Sequence, residues 1–116
     1  MLEYIFVYGL FRDSGNNLLD NAVFCDKAFV YGRIYSVNEF YPGYVFENCD
    51  NKVWGDVYLV DTSVFESLDE FEGEEYKRDK MYTSIGEWCW IYMYKYDISK
   101  FTEIVGGDWM LRKRIQ

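Results

Sequence analysis

The sequence predicts an α+β fold built on a curved or barrel-like sheet, with a few short helices set apart from one another. Three observations predict it. Aromatic residues make up 22% of the 116 residues, with 12 tyrosines and 9 phenylalanines, and such side chains favour strands over helices. Turn signals, rather than regular helices, separate most of the strand-like segments. Two or three strands then run consecutively near the C-terminal end, which does not fit repeated βαβ units.

The elements follow in order. Glu3 to Tyr8 is aromatic and β-branched, reads as a strand and ends at Gly9. Asp13 to Asn17 is a turn cluster, and Leu18 to Ala22 is a short helical segment. Phe29 to Val37 alternates around Gly32 as one strand. The only proline, Pro42, sits in EFYPGY, a turn by its Pro-Gly pair. Val53 to Val60 is a strong strand. Thr62 or Ser63 caps a helix running towards Phe71. Tyr76 to Ser84 and Trp88 to Tyr96 are two strands joined at Ile85-Gly86-Glu87. Ile98 to Val105 is a short helical candidate, followed by GGDW and a basic tail.

The totals bound the function. The length fits one domain over residues 1–116, and half of the residues are hydrophobic, so a packed core is expected rather than disorder. The net charge of −8 argues against nucleic acid as a partner, because a binder needs a basic face to displace counterions from phosphates. Arg112, Lys113 and Arg114 read as a solvated terminus. There is no histidine, which removes the commonest general base near neutral pH and the commonest metal ligand. The three cysteines, Cys25, Cys49 and Cys89, are far apart, so no zinc site and no other cofactor is expected. A Cys–His pair and a Ser–His–Asp triad are both impossible. An odd cysteine count without a secretion signal at MLEYIFVYG points to reduced thiols and a cytoplasmic location. No apolar run approaches the ~20 residues that span a bilayer, so no membrane partner is expected.

The stretch SLDEFEGEEYKR, residues 67 to 78, carries five carboxylates. With about 100° between successive side chains over residues 63 to 72, Val64, Phe65, Leu68 and Phe71 form one apolar stripe. Glu72 falls on that stripe. Glu66 and Glu70 project to the opposite side, Asp69 lies at the edge, and Glu74 and Glu75 follow Gly73, the expected C-cap. Glu72 alone is aimed at the core. A carboxylate there pairs with a buried cation, Arg78 or Arg12, or sits in a pocket with its pKa raised by desolvation, or else snorkels from the helix edge to water. The negative end of the helix dipole pushes the same way. The second state suits a general base.

Two further patterns carry chemistry. In FVYGLFR, residues 6 to 12, a strand that ends in a glycine turn can expose consecutive backbone N–H groups to an anion or oxyanion. In WCWIYMY, residues 88 to 94, Trp88, Trp90, Tyr92 and Tyr94 share one face and Cys89, Ile91 and Met93 the other. Core packing explains most of that strand, and a tyrosine hydroxyl lining a pocket is the alternative.

These motifs, in this order, resemble the gamma-glutamylcyclotransferase-like superfamily, in particular its small gamma-glutamylamine cyclotransferase-like branch. The resemblance rests on Tyr8-Gly9-Leu10-Phe11-Arg12 with Gly15-Asn16, then Tyr41-Pro42-Gly43, and Val53-Trp54-Gly55-Asp56-Val57-Tyr58. It continues through Leu68-Asp69-Glu70-Phe71-Glu72, Tyr76-Lys77-Arg78, Trp90-Ile91-Tyr92 and Gly107-Asp108-Trp109. It covers nearly the whole chain. It implies a mixed β-barrel with flanking helices and a pocket at one end. It further implies Glu72 as general base and a substrate held by the backbone of Tyr8, Gly9, Leu10 and Phe11, with Tyr92 as a further substrate-binding candidate.

The implied substrate is a small gamma-glutamyl amide, whose α-amine attacks its own γ-carbonyl to give 5-oxoproline and a free amine. That chemistry needs a base and oxyanion donors, but no histidine, metal or enzyme nucleophile. One departure stands out: the family's Ser/Thr-Leu is Leu10-Phe11 here, so a hydroxyl is lost and a large ring added. The alternatives that this leaves are a changed substrate, a non-catalytic ligand-binding module on the same fold, and an acidic interaction protein.

Overall fold

The structure, a computed structural model, describes residues 1–12 and 17–114. The eight strands form one mixed sheet. They are β1 (Leu2–Val7), β2 (Val23–Tyr31), β3 (Arg33–Val37), β4 (Tyr41–Val45), β5 (Lys52–Asp61), β6 (Tyr76–Tyr82), β7 (Trp88–Tyr94) and β8 (Thr102–Glu103), with one α-helix, α1 (Phe65–Glu72). The spatial order is β2-β5-β1-β7-β4-β3-β8, and β6 also pairs with β7. The expected α+β class, a barrel-like mixed sheet with short flanking helices, is the observed one.

Strand β7 organises the site. It pairs antiparallel with β6 along its whole length. A strand has only two hydrogen-bonding edges, so β1 and β4 share the other one. Both run parallel to β7, β1 through Ile5 opposite Trp90 and β4 through Tyr44 opposite Met93. The sheet therefore forks where β1 ends and β4 begins. Tyr8, the first residue beyond β1, fills the fork. Its hydroxyl donates to the Tyr92 carbonyl at 2.6 Å and accepts from the Tyr44 N–H at 3.0 Å. It thus stands in for ladder bonds that the fork removes.

Alternation along the strands builds two apolar layers. Phe6 and Tyr8 of the β1 segment point into the curl of the sheet with Cys89, Ile91 and Met93 of β7. Ile5 and Val7 point the other way with Tyr92, and α1 covers them with Phe65 and Leu68. The two faces expected for WCWIYMY are the two faces observed, except that Trp88 remains exposed.

Several expectations are corrected. Phe29 to Val37 is two strands, not one. Gly32 has φ +143°, and the ring of Tyr44 lies 2.6 Å from where its Cβ would stand, so the chain breaks there. Tyr41-Pro42-Gly43 is strand β4, paired with β3 through Ser36 opposite Pro42. The reversal comes earlier, at Asn38 and Glu39, whose φ values are 51° and 70°. Leu18 to Ala22 begins with only a short 3-10 turn, Asn17–Leu19. Ile98 to Val105 is not helical: it contains β8, whose pairing with β3 overrides the local preference.

Asp61, rather than Thr62 or Ser63, caps the helical segment, accepting the Ser63 N–H at 2.9 Å. A 3-10 turn, Thr62–Val64, then leads into α1. Gly73 ends it as expected, with φ 82° and its N–H on the Asp69 carbonyl. The turn expected over Asp13 to Asn17, including Gly15-Asn16, falls largely outside the described residues, as do the side chains of Arg112, Lys113 and Arg114. Among the described residues no helix is long and apolar enough to cross a membrane.

Candidate active site

The end of β1, the start of β4 and the last turn of α1 meet at the fork. The pocket between them is lined by Phe6, Val7, Tyr8, Gly9, Phe11, Tyr41, Pro42, Phe71, Glu72, Tyr76 and Tyr92. Four of the expected residues, Tyr8, Gly9, Phe11 and Tyr92, are thus brought around Glu72. The Leu10 side chain lies outside the described residues. Sequence reasoning missed Tyr76 and Tyr41 as lining residues, and read Pro42 only as a turn former. All three are placed by strand pairing, which leaves no local signature.

Gly9 is where it must be. A Cβ there would stand 2.6 Å from Pro42 Cγ, so only glycine lets β4 close onto the turn. The turn is closed by the Arg12 N–H donating to the Gly9 carbonyl at 3.0 Å. The amides that open such a 3-10 turn have no acceptor within it. The Tyr8 side chain is structural, its hydroxyl held in the sheet fork. What the segment can offer a ligand is its backbone.

Glu72 is the last residue of α1, and its carboxylate is inside the pocket. Neither expected cation pairs with it. Arg78 donates to Asp69 instead, Nε to Oδ1 at 2.9 Å and Nη2 to Oδ2 at 3.2 Å. Arg12 turns to the opposite side, with Nη1 on Asp108 Oδ1 at 2.8 Å and Nε on Asp56 Oδ2 at 3.3 Å. Among the described residues no cation lies within ion-pair range of Glu72. Burial alone pushes its carboxyl up from the ordinary value to about 7. Desolvation penalises the charged form and nothing nearby compensates.

Tyrosines surround it. Burial first, and then the Glu72 charge, hold the phenols of Tyr8 and Tyr76 well above their ordinary value. Tyr92 is raised by burial and then by its hydrogen bond to Asp69. All three stay neutral at physiological pH.

Asp69 is exposed, as expected of an edge acid, but it is not free. It takes the two Arg78 bonds and a third from the Tyr92 hydroxyl at 2.6 Å. Arg78 first, together with Tyr92, keeps its carboxyl below the usual range. Phe71, the last member of the expected apolar stripe, is also not core. It is 47% exposed and leans on Phe11 with ring centroids 5.2 Å apart, at the mouth of the pocket. The pocket that both rings line is small, with room for about two waters. Tyr76 and Tyr92 also wall an open groove on their far side, with Asp69, Glu70, Glu74, Lys77 and Arg78. Among the described residues no group of three or more Cys, Asp or Glu side chains is placed to hold a metal ion.

The arrangement offers one chemistry clearly: a carboxyl that exchanges a proton near pH 7, facing a turn rich in backbone amides, among side chains that carry no other titratable charge at that pH.

A family model described as "Gamma-glutamyl cyclotransferase, AIG2-like" matches residues 5–111. No curated protein matches. Among solved structures the chain is similar to protein ytfP from Escherichia coli, at 33% identity and a TM-score of 0.74, covering 95% of this chain and 98% of that one. It is similar in fold to an AIG2-like protein from Mus musculus, at 23% identity and a TM-score of 0.66, covering 79% and 76%. YkqA from Bacillus subtilis shares the fold over all of this chain, at 24% identity and a TM-score of 0.81, but the chain spans only 44% of YkqA's length.

Proposed function

The chain belongs to the gamma-glutamyl cyclotransferase, AIG2-like family, and from that premise we propose that it cleaves a gamma-glutamyl amide by intramolecular attack, with Glu72 as the proton carrier. The observation that carries the reading is the unpaired Glu72 carboxyl, poised at about 7, in the same pocket as the turn from Tyr8 to Phe11. A general base works best with a pKa near the operating pH.

The steps balance without any other reactant. Glu72 takes a proton from the substrate's α-ammonium. The freed amine attacks the γ-carbonyl carbon, and a C–N bond closes the five-membered ring. Negative charge gathers on the carbonyl oxygen, where backbone N–H groups of the glycine turn can receive it. Glu72 returns the proton to the departing nitrogen and the original amide C–N bond breaks; the ring nitrogen then gives its second proton to Glu72, which passes it to the freed amine, so that 5-oxoproline, an ammonium product and an ionised Glu72 result. Because the nucleophile belongs to the substrate, correct folding of the bound chain supplies much of the rate enhancement.

The test is direct measurement of 5-oxoproline released from gamma-glutamyl amines, gamma-glutamyl amino acids and gamma-glutamyl-lysine peptides. Wild type is expected to turn over at least one class. Glu72→Gln is expected to lose about a thousandfold in rate, the scale of general acid–base catalysis, while remaining folded. Turnover that survives Glu72→Gln would sink the assignment of the base.

A second reading is favoured by Phe11 and its contact with Phe71, which narrow the mouth: a pocket that binds a small ligand without cleaving it. Silence across the whole panel, with saturable binding of the same compounds, would select that reading.

A further inference from the structure

The three tyrosines that face Glu72 come from three strand segments, and each commits its hydroxyl hydrogen to an acceptor other than Glu72. Tyr8, beyond β1, donates to the Tyr92 carbonyl at 2.6 Å. Tyr76 of β6 donates to the Pro42 carbonyl at 2.8 Å. Tyr92 of β7 donates to Asp69 Oδ1 at 2.6 Å. The first two acceptors are backbone carbonyls. The third is a side chain, and it is held firmly. Asp69 takes two bonds from Arg78, and the Arg78 guanidinium is stacked 4.2 Å from the Phe65 ring centroid and 4.6 Å from that of Trp90.

A phenol has one hydrogen to give and two lone pairs to receive. With its hydrogen committed to Asp69, the Tyr92 oxygen can only accept; Arg78 already lies within reach of it on the groove side, which leaves one lone pair for the pocket side. That polarity does not suit an oxyanion; it suits an ammonium.

We propose that Asp69, clamped by Arg78, is a positioning residue that fixes the Tyr92 hydroxyl as an acceptor, so that an ammonium group in the pocket is held between the Tyr92 oxygen and Glu72. That this ammonium is a substrate's α-amine rests on the cyclotransferase reading. The orientation of the hydroxyl does not.

The same commitment explains why Glu72 has no hydrogen-bond donor among the described residues. Removing Asp69 releases the Tyr92 hydrogen. Arg78, already beside Tyr92, then favours the oxygen, and the hydrogen turns to Glu72. A donor to the charged form strengthens the acid.

The measurement is the titration of the Glu72 carboxyl by carbon NMR in protein labelled at glutamate, its signal assigned by its loss in Glu72→Gln. In Asp69→Ala the midpoint is expected to fall by about one pH unit, a tenfold loss of proton affinity. In Asp69→Ala/Tyr92→Phe it is expected to return to the wild-type value. If Asp69→Ala does not fold, Asp69→Asn is compared with its own Tyr92→Phe double variant. An unmoved midpoint overturns the proposal. So does a shift that persists without the Tyr92 hydroxyl, because loss of the Asp69 charge alone would then account for it.

Tyr92→Phe by itself is expected to raise KM roughly tenfold with a much smaller effect on kcat, as loss of a hydrogen bond to a charged group implies. The reverse split overturns the ammonium contact. A wild type without turnover would count against the cyclotransferase reading, while the titration would still decide the role of Asp69.

Discussion

Arg12 and Glu72 are two ionisable side chains drawn in around the glycine turn, and their surroundings differ completely. Arg12 has a side chain only 7% exposed and meets the carboxylates of Asp56 and Asp108 and the carbonyl of Trp54. It ties the turn to β5 and to the C-terminal segment. Glu72 meets apolar rings and neutral phenols and, among the described residues, no cation. The first arrangement satisfies a buried ion; the second leaves one unsatisfied and poised to change its protonation. A buried charge with partners reads as architecture, and a buried charge without them reads as chemistry.

The contrast breaks most severely at Arg12. Arg12→Met fills similar volume but strands Asp56 and Asp108 without their cation. Breaking a buried pair in this way costs about 3–5 kcal/mol, so the denaturation midpoint is expected to fall sharply in urea. Activity per folded molecule should persist, because Arg12 faces away from the pocket. A stable variant with lost turnover would instead place Arg12 in the chemistry.

Glu72 predicts the opposite sign. Its carboxyl titrates at about 7 in the folded protein and near 4.5 when unfolded. Between those values the unfolded chain has already released the proton that the folded one retains. Stability therefore falls as pH rises through this window, and above pH 7 the full penalty is present. For a shift of this size it is about 3 kcal/mol. Glu72→Gln removes it. The variant is expected to be more stable than wild type at pH 8, and the advantage should shrink to nothing by about pH 4.5. Urea melts at several pH values check this. Equal pH profiles for the two proteins would mean that Glu72 is solvated and the contrast with Arg12 is empty.

The sequence disclosed one side of this contrast better than the other. Glu72 was legible because helical periodicity places it on the stripe of Phe65 and Leu68, and a helix carries its register locally. The pairing of Arg78 with Asp69 was not legible, because it depends on how α1 lies across β6, nine residues away in sequence. Arg12 with Asp108 spans almost the whole chain. The strand β4 was hidden for a related reason: Tyr-Pro-Gly has turn chemistry, and only its pairing with β3 makes it extended. Phe71 matched the period of the core, yet α1 ends one residue later, so its ring overhangs the pocket instead of packing beneath the helix.

That overhang allows the finest test. The Phe11 and Phe71 rings pack on each other in the lining of the pocket, where a gamma-glutamyl group would meet them. A tilted aromatic pair contributes about 0.5–1.5 kcal/mol beyond burial. Phe11→Leu removes the pair and restores the smaller side chain that the family carries at this place. Stability should fall by about 1 kcal/mol. A bound group then competes with one fewer ring contact for that wall of the pocket, so KM for an accepted substrate is expected to fall by roughly two- to tenfold. Steady-state kinetics on the best substrate of the panel would read it. A KM that rises instead would mean that the Phe11 ring touches the bound substrate, and Phe11 would then act on specificity through contact rather than through access. Either sign leaves the proton affinity of Glu72 to its own surroundings, so the pH dependence of turnover in Phe11→Leu should overlay that of wild type unless the open mouth lets water reach the carboxyl, in which case the acid limb moves down.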